Sequence, residues 1–138
     1  AMLGLSTDEA SYSAAGYGTD GQALVGSKKY KLHIPAGGIP AKVFWSVTLY
    51  EFKDDSQFLT PNPINRHLVS SKTRDFVRNA DGSMDVWVQS TPPEGEKISN
   101  WLPSPANGER FWFIARSYGP KPEVKDGTFS LPYVETLQ

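Results

Sequence analysis

The sequence of 138 residues has no cysteine, no strong excess of one charge and no long apolar run. Without cysteine it has no disulfide framework, no thiolate nucleophile and no cysteine-based metal site. A formal net charge of −1 argues against a general electrostatic attraction to nucleic acid or anionic lipid. A membrane-spanning helix needs roughly 20 consecutive apolar residues, and no segment approaches that length. We therefore expect a soluble chain with no nucleic-acid partner and no membrane span.

The length of the chain suits one domain with its own core. The Ala1-Met2 start resembles a tag remnant, and Ser6 with Glu9 fits a capping box that predicts a short helix through about Tyr12. We predict a tag remnant and this helix over residues 1–11, followed by a single β-sandwich domain over residues 12–138. A cytoplasmic location, or an exported one after loss of a leader, is left open, as is an upstream domain.

Twelve glycines and 11 prolines divide the chain into short segments and disfavour long helices. The strongest strand pattern covers residues 44–52, where no glycine or proline interrupts β-branched and aromatic residues. Because side chains alternate along a strand, one of its faces is wholly apolar and should lie in the core; it comprises Val43, Trp45, Val47 and Leu49. The other face mixes rings with hydroxyls, and either a second protein layer or a ligand cleft would explain it; it comprises Phe44, Ser46, Thr48, Tyr50 and Phe52.

Further short strands are predicted between turn residues along the rest of the chain. They cover residues 30–34, 57–59, 66–70, 84–89 and 111–118, with a last edge strand within 127–137. Residues 100–105 are predicted as a proline-bounded loop whose Trp101 folds back onto the core. Many short strands without alternating helices indicate an all-β fold, an antiparallel β-sandwich with jelly-roll-like topology.

Several phrases together are similar to the bacterial domain of unknown function 1214, from about Tyr12 to Tyr133. They are Asp20-Gly21-Gln22-Ala23-Leu24 before Tyr30, Phe44-Trp45-Ser46-Val47-Thr48-Leu49-Tyr50, Asn62-Pro63 with Arg66, Asn79-Ala80-Asp81-Gly82-Ser83, Asn100-Trp101-Leu102-Pro103 and Arg116-Ser117-Tyr118-Gly119-Pro120. The resemblance implies a jelly-roll β-sandwich that commonly follows a second domain, of unknown function 1254. It implies no reaction, substrate or catalytic residue. His67 stands where family members often have an aromatic residue.

Metal and cofactor sites are not expected. A transition-metal site needs three or more converging ligands, and His33 and His67 have no metal-ligand spacing. The alternating oxygen ligands from Asn79 to Asp85 lack the glutamate at position twelve of an EF-hand, where Ser90 stands. No Gly-x-Ser-x-Gly elbow is present for a nucleophilic serine.

The motif segments instead contain aromatic rings beside amide and guanidinium groups, which suit a sugar or a carboxylate-bearing ligand. The candidate ligand-binding residues are Trp45, Tyr50, Asn62, Arg66, Asp81, Asn100, Trp101, Arg116 and Tyr118. A structural role is the alternative for the same residues, since buried polar groups need partners in any case. On that alternative Arg116 would pair with Asp81 or Glu51, and Asn100 would bond to backbone groups.

We therefore expect a non-catalytic β-sandwich module that binds a ligand, with carbohydrate the leading class by analogy of fold, or that docks against a companion domain. One alternative is a hydrolase-like or lyase-like enzyme domain acting with an upstream domain. Another is a structural assembly unit in a homo-oligomer.

Overall fold

The computed structural model of the chain describes residues 2–6, 10–39, 41–53, 56–60, 62, 64–73, 75–106, 108–120 and 134–137. Within these residues, the regular structure consists of ten strands and one 3₁₀ helix, Gly95–Asn100. The strands are β1 (Met2–Ser6), β2 (Ala10–Ala15), β3 (Tyr30–Ile34), β4 (Ala41–Lys53), β5 (Ser56–Leu59), β6 (Leu68–Ser70), β7 (Met84–Gln89), β8 (Trp101–Pro103), β9 (Arg110–Pro120) and β10 (Glu135–Thr136). In this part of the chain no helix is long and apolar enough to cross a membrane.

The larger sheet has six strands and is built around β4, the strand with the longest apolar and aromatic run. Its order is β1-β2-β9-β4-β5, and β6 also pairs with β4. Strand β9 pairs with one edge of β4 over most of its length, so β5 and β6 share the other edge, opposite residues 50–53 and 46–48. All of these pairings are antiparallel.

The smaller sheet has four strands in the order β10-β3-β7-β8. Strands β10, β3 and β7 pair antiparallel, whereas β7 and β8 pair in parallel. The predicted all-β, sandwich-like fold is confirmed, and the parallel pair is an exception to the expected antiparallel pattern. Jelly-roll topology within that class stays a prediction.

The core lies between the apolar faces of the two sheets. Trp45, Val47 and Leu49 on β4 are at most 5% exposed, which confirms the predicted buried face of that strand. The side chain of Val43 lies outside the described part. The core cluster also includes Phe111, Phe113 and Ala115 from β9 and, from the smaller sheet, Tyr30, Leu32, Ile34, Met84, Val86, Val88 and Leu102.

The predicted N-terminal helix is wrong. Ser6 ends β1, and Ala10–Ala15 forms β2, which pairs with β9 through six consecutive residues; residues 7–9 lie outside the described part. A capping box stabilises a helix start by about 1 kcal/mol. Helices of one or two turns are marginal alone. Pairing with β9 gives the same residues long-range hydrogen bonds, so the strand prevails.

The structure differs in detail from two other predictions. Residues 101–103 form β8 rather than a loop, because they pair in parallel with β7. Trp101 is only 3% exposed, as expected. The predicted last edge strand is described only over residues 134–137, where β10 pairs with β3; residues 127–133 lie outside the described part.

Candidate functional site

Asn100 holds two segments of the backbone together. It is 6% exposed, at the end of the 3₁₀ helix. Its Oδ1 accepts a hydrogen bond from the N–H of Val77 at 2.7 Å, and its Nδ2 donates to the carbonyls of Val77 at 2.8 Å and Asp85 at 3.0 Å. A buried amide with three backbone partners satisfies groups that would otherwise be unpaired. The structure thus gives Asn100 the backbone-satisfying role that the sequence offered as an alternative.

Arg66 has partners of the same kind. Its Nη1 donates to the carbonyl of Trp101 at 2.9 Å and to that of Ser99 at 3.3 Å. Its Nη2 donates to Asp75 Oδ2 at 2.6 Å, and the guanidinium lies 4.8 Å from the centroid of the Phe76 ring. The side chain is 20% exposed. Arg66 therefore ties the segment before β6 to the start of β8.

Asn62 closes the short loop in which Arg66 lies. Its Nδ2 donates to the carbonyls of Arg66 at 2.8 Å and Thr60 at 3.1 Å, and its Oδ1 accepts from the N–H of Arg66 at 2.9 Å. Within the loop Asn65 takes a positive φ of 52°. Asparagine tolerates this left-handed backbone better than most residues.

The two candidate tryptophans, Trp45 and Trp101, are buried. The indole Nε1 of Trp101 donates to the carbonyl of Gln89 at 2.8 Å. Trp45 lies against Gly38, where an added Cβ would come within 2.3 Å of the indole ring at a φ of +73°. The close approach and the positive φ both require glycine at position 38. Neither indole presents a stacking platform to solvent.

Asp81 shapes the turn before β7. Its Oδ1 accepts hydrogen bonds from the hydroxyl and the backbone N–H of Ser83, and these bonds hold the pKa of the Asp81 carboxyl below its usual value. Gly82 beside it has a φ of 89°. These bonds form a local turn rather than a hairpin, because the strands before and after it, β6 and β7, lie in different sheets.

The two histidines lie with different partners. His33 and Asp85 are opposite each other on β3 and β7, and His33 Nδ1 donates to Asp85 Oδ1 at 2.8 Å. His67 Nε2 lies 3.1 Å from Asn65 Oδ1. In the described ranges no group of three or more His, Cys, Asp or Glu residues is placed to hold a metal ion.

The remaining candidates, Tyr50, Arg116 and Tyr118, lie on the larger sheet, on the face turned away from the core. The pairing of β4 with β9 sets Phe44 opposite Tyr118, Ser46 opposite Arg116, Thr48 opposite Ile114 and Tyr50 opposite Trp112. Paired residues share a face, so these side chains form one surface. We call the outer aromatic face the half-buried set Phe44, Tyr50, Phe52, Trp112, Arg116 and Tyr118.

A bridge between Arg116 and Tyr50 crosses this face. Arg116 Nη2 donates to Tyr50 Oη at 3.2 Å, and the guanidinium lies 5.8 Å from the centroid of the Tyr50 ring. Because these residues belong to rows on either side of the Thr48–Ile114 row, the bridge spans that row. The burial of Thr48 and Ile114, 4% and 6% exposed, agrees with this cover.

The rings around the bridge pack in pairs. Phe52 and Trp112 have centroids 5.5 Å apart, and those of Phe44 and Tyr118 are 5.7 Å apart. The buried indole Nε1 of Trp112 has no hydrogen-bond acceptor in the described part of the chain. A buried donor without an acceptor costs roughly 1–3 kcal/mol.

The outer aromatic face contains residues that sequence reasoning missed. The sequence places Phe44 and Phe52 on the mixed face of β4 without making them candidates, and it places Trp112 in the predicted strand 111–118 without a functional role. The alternation of side chains along β9 could have identified Trp112, because it lies an even number of positions from Arg116 and Tyr118 and therefore points to the same side of the sheet. Only Tyr50, Arg116 and Tyr118 of the nine candidates are brought together here. Asn62, Arg66, Asn100 and Trp101 lie together elsewhere, around β8, and Trp45 and Asp81 lie apart.

Comparison with known proteins gives a family and a fold. The family model described as Protein of unknown function (DUF1214) matches residues 9–122. No curated protein matches the chain. The crystal structure of the VPA0106 protein from Vibrio parahaemolyticus is 27% identical, with a TM-score of 0.79. That of an uncharacterized protein from Burkholderia cenocepacia is 13% identical, with a TM-score of 0.56, and shows likeness of fold alone. Each match covers 99% of this chain and 32% of the other, so the chain spans about a third of their length.

Proposed function

The chain belongs to the DUF1214 family, and on that premise we propose that it is a non-catalytic docking module whose outer aromatic face packs against a companion polypeptide. The observation that carries the proposal is the composition of this face: five rings and one guanidinium, all half-buried, around a buried hydroxyl-bearing centre. Aromatic and arginine side chains are enriched at protein interfaces, where they supply most of the binding energy.

The companion we propose is a neighbouring domain of the same longer chain. In the two solved relatives, about two thirds of the polypeptide lies outside the region that matches this domain. Interfaces between domains of one chain resemble transient protein interfaces, with apolar and polar groups mixed. The outer aromatic face has this mixed character, because Arg116 and Tyr50 supply polar groups between rings.

Superposition on the V. parahaemolyticus structure tests the proposal directly. The positions equivalent to Tyr50, Trp112 and Arg116 should be covered by the rest of that chain. Positions equivalent to Lys31 and Lys97, on the outer side of the smaller sheet, provide the control and should face solvent. If solvent covers both sets alike, the docking proposal is wrong.

Carbohydrate binding is the second candidate, favoured by the same residues for a different reason. Sugars stack on aromatic rings and accept hydrogen bonds, and this face offers rings with the Arg116 guanidinium among them. A glycan and metabolite screen on the full-length gene product would test it, with Arg116→Ala as the control. Binding that Arg116→Ala abolishes would favour the carbohydrate; no binding, or binding that the change leaves intact, would count against it.

The enzyme alternative would need two carboxylates, or His67 with a carboxylate, converging on one site. The contact that the structure gives His67 Nε2 is with the side-chain amide of Asn65, and Asp85 pairs with the exposed His33. The contact of His67 is with an amide rather than a carboxylate, so it gives the enzyme alternative no support.

A further inference from the structure

Strand β5 is an edge strand without the usual protection. It lies at the end of the larger sheet and pairs with β4. All four of its residues are exposed, with Phe58 at 50% and Leu59 at 48%. Its sequence, Ser-Gln-Phe-Leu, contains neither a charge nor a proline. Natural sheets usually protect an edge with lysine, proline, a bulge or a covering segment, because an open edge pairs with other strands.

The edges of the smaller sheet show such protection. Strand β8 ends at Pro103 and is buried along its length. Strand β10 has only two residues, and its Glu135 lies 3.4 Å from the Nζ of Lys31. The contrast distinguishes β5 from the two edges of the smaller sheet.

Exposed apolar side chains flank the open backbone of β5. Leu59 is opposite Tyr50 and Leu68 is opposite Thr48 on β4, so the two leucines are neighbours on the outer side of the sheet. Leu68 is 41% exposed. Phe58, the next residue of β5, points to the other side. A strand added beside β5 would therefore cover apolar surface on both sides of the sheet.

We propose that β5 pairs antiparallel with β5 of a second copy of this chain, joining two larger sheets across a two-fold axis. A two-fold axis places a strand antiparallel to itself, so each copy offers the backbone groups that the other needs. Like charges opposite each other would disfavour such a pair, and β5 has none. Because β5 carries no charge, it also has no electrostatic preference for a positively or negatively charged partner strand. The proposal uses the edge of the sheet rather than the outer aromatic face, which begins beside it where Leu59 lies opposite Tyr50.

Four paired residues on each copy make a small interface. Interfaces well below the standard size of about 1,600 Å² are typically weak, so the dimer should form only towards high protein concentration. Sedimentation equilibrium of the intact chain over a concentration series extending to the millimolar range measures this association. We expect a reversible monomer–dimer equilibrium.

Phe58→Lys should weaken the association at least tenfold, because it places like charges near the axis and removes apolar contact. Val77→Lys is the matched control: Val77 is apolar and 61% exposed, and it lies in the segment before β7. This control should leave the dissociation constant unchanged. Equal effects of the two changes would overturn the assignment to β5, as would a chain that stays monomeric throughout.

Hydrogen exchange decides the matter without a variant, in case Phe58→Lys does not fold. The amide groups of Gln57, Phe58 and Leu59 should divide into those bonded to β4 and those facing outwards. The outward-facing ones should gain protection as concentration rises, while the amide of Ile98, in the 3₁₀ helix, should not. Protection of β5 that is independent of concentration would contradict the proposal.

Discussion

The outer sides of the two sheets differ in chemistry. On the smaller sheet, three ionisable side chains have partners close in space. Lys31 lies 3.4 Å from Glu135, His33 is bonded to Asp85 at 2.8 Å, and Lys97 lies 4.5 Å from the centroid of the Trp87 ring. On the larger sheet, the corresponding side holds rings and hydroxyls around the Arg116 guanidinium, and Lys72 Nζ lies 5.2 Å from the centroid of the Phe44 ring. Exposed ion pairs are stable in water and contribute little energy, whereas half-exposed rings still have apolar surface to bury.

The motif residues divide in the same way. Those around β8 have their polar atoms bonded to backbone groups, as Asn100 does with Val77 and Asp85. Those on the outer aromatic face bond to one another, as Arg116 does with Tyr50. The first set holds segments of the fold together, and the second set presents a surface. The comparison therefore separates family-typical residues that stabilise the domain from those that we expect to bind.

The largest expected effect is a difference in stability loss between substitutions on the two sides of the larger sheet. Phe113 is fully buried in the core, 5.7 Å between ring centroids from Phe111, and its neighbour Trp112 lies on the outer aromatic face. Phe113→Ala should lower the free energy of unfolding by about 3–5 kcal/mol through lost burial and a cavity. Trp112→Ala should cost less than about half as much. Urea denaturation of both variants measures the difference, and equal losses would show that the outer aromatic face belongs to the core.

A smaller loss is expected at Asn100. Asn100→Ala leaves the partly buried N–H of Val77 without its acceptor and removes a donor from two carbonyls, so it should cost about 2–3 kcal/mol of stability. Asn79→Ala is the matched control, because the amide of Asn79 is exposed and bonds only to side chains, at Ser83 and Asp85. It should cost under about 1 kcal/mol. Thermal unfolding compares them, and a glycan or partner that binds the wild type should bind folded Asn100→Ala equally well.

Alternation along the strands predicted much of this arrangement, since period two alone assigns Trp45, Val47 and Leu49 to the core. It could not decide what lies opposite Tyr50, because the register of β4 against β9 depends on contacts between residues 58 (Phe52 and Arg110) to 79 (Ala41 and Pro120) positions apart in sequence. The N-terminal helix failed for the related reason that a local capping signal competes with distant pairing partners. The motif phrases mark Asn62, Arg66 and Asn100 as candidate residues. Their backbone partners, however, follow from loop geometry that no residue pattern encodes.

The smallest expected effect concerns Asp81 and pH. The pKa of this carboxyl is lowered in the folded state by its bonds from Ser83, so the folded state binds its proton less readily than the unfolded state, where the pKa is about 3.9. The resulting stability is present above the unfolded pKa and is lost as the pH falls through the folded one. Asp81→Asn should therefore reduce the fall in melting temperature below about pH 4. Ser83→Ala, which removes the hydroxyl donor and keeps the carboxyl, should reduce it as well. An acid profile unchanged by both substitutions would mean that the turn bonds contribute no pH-dependent stability. The hydrogen bonds from Ser83 to Asp81 would then shape the turn before β7 without stabilising the folded state.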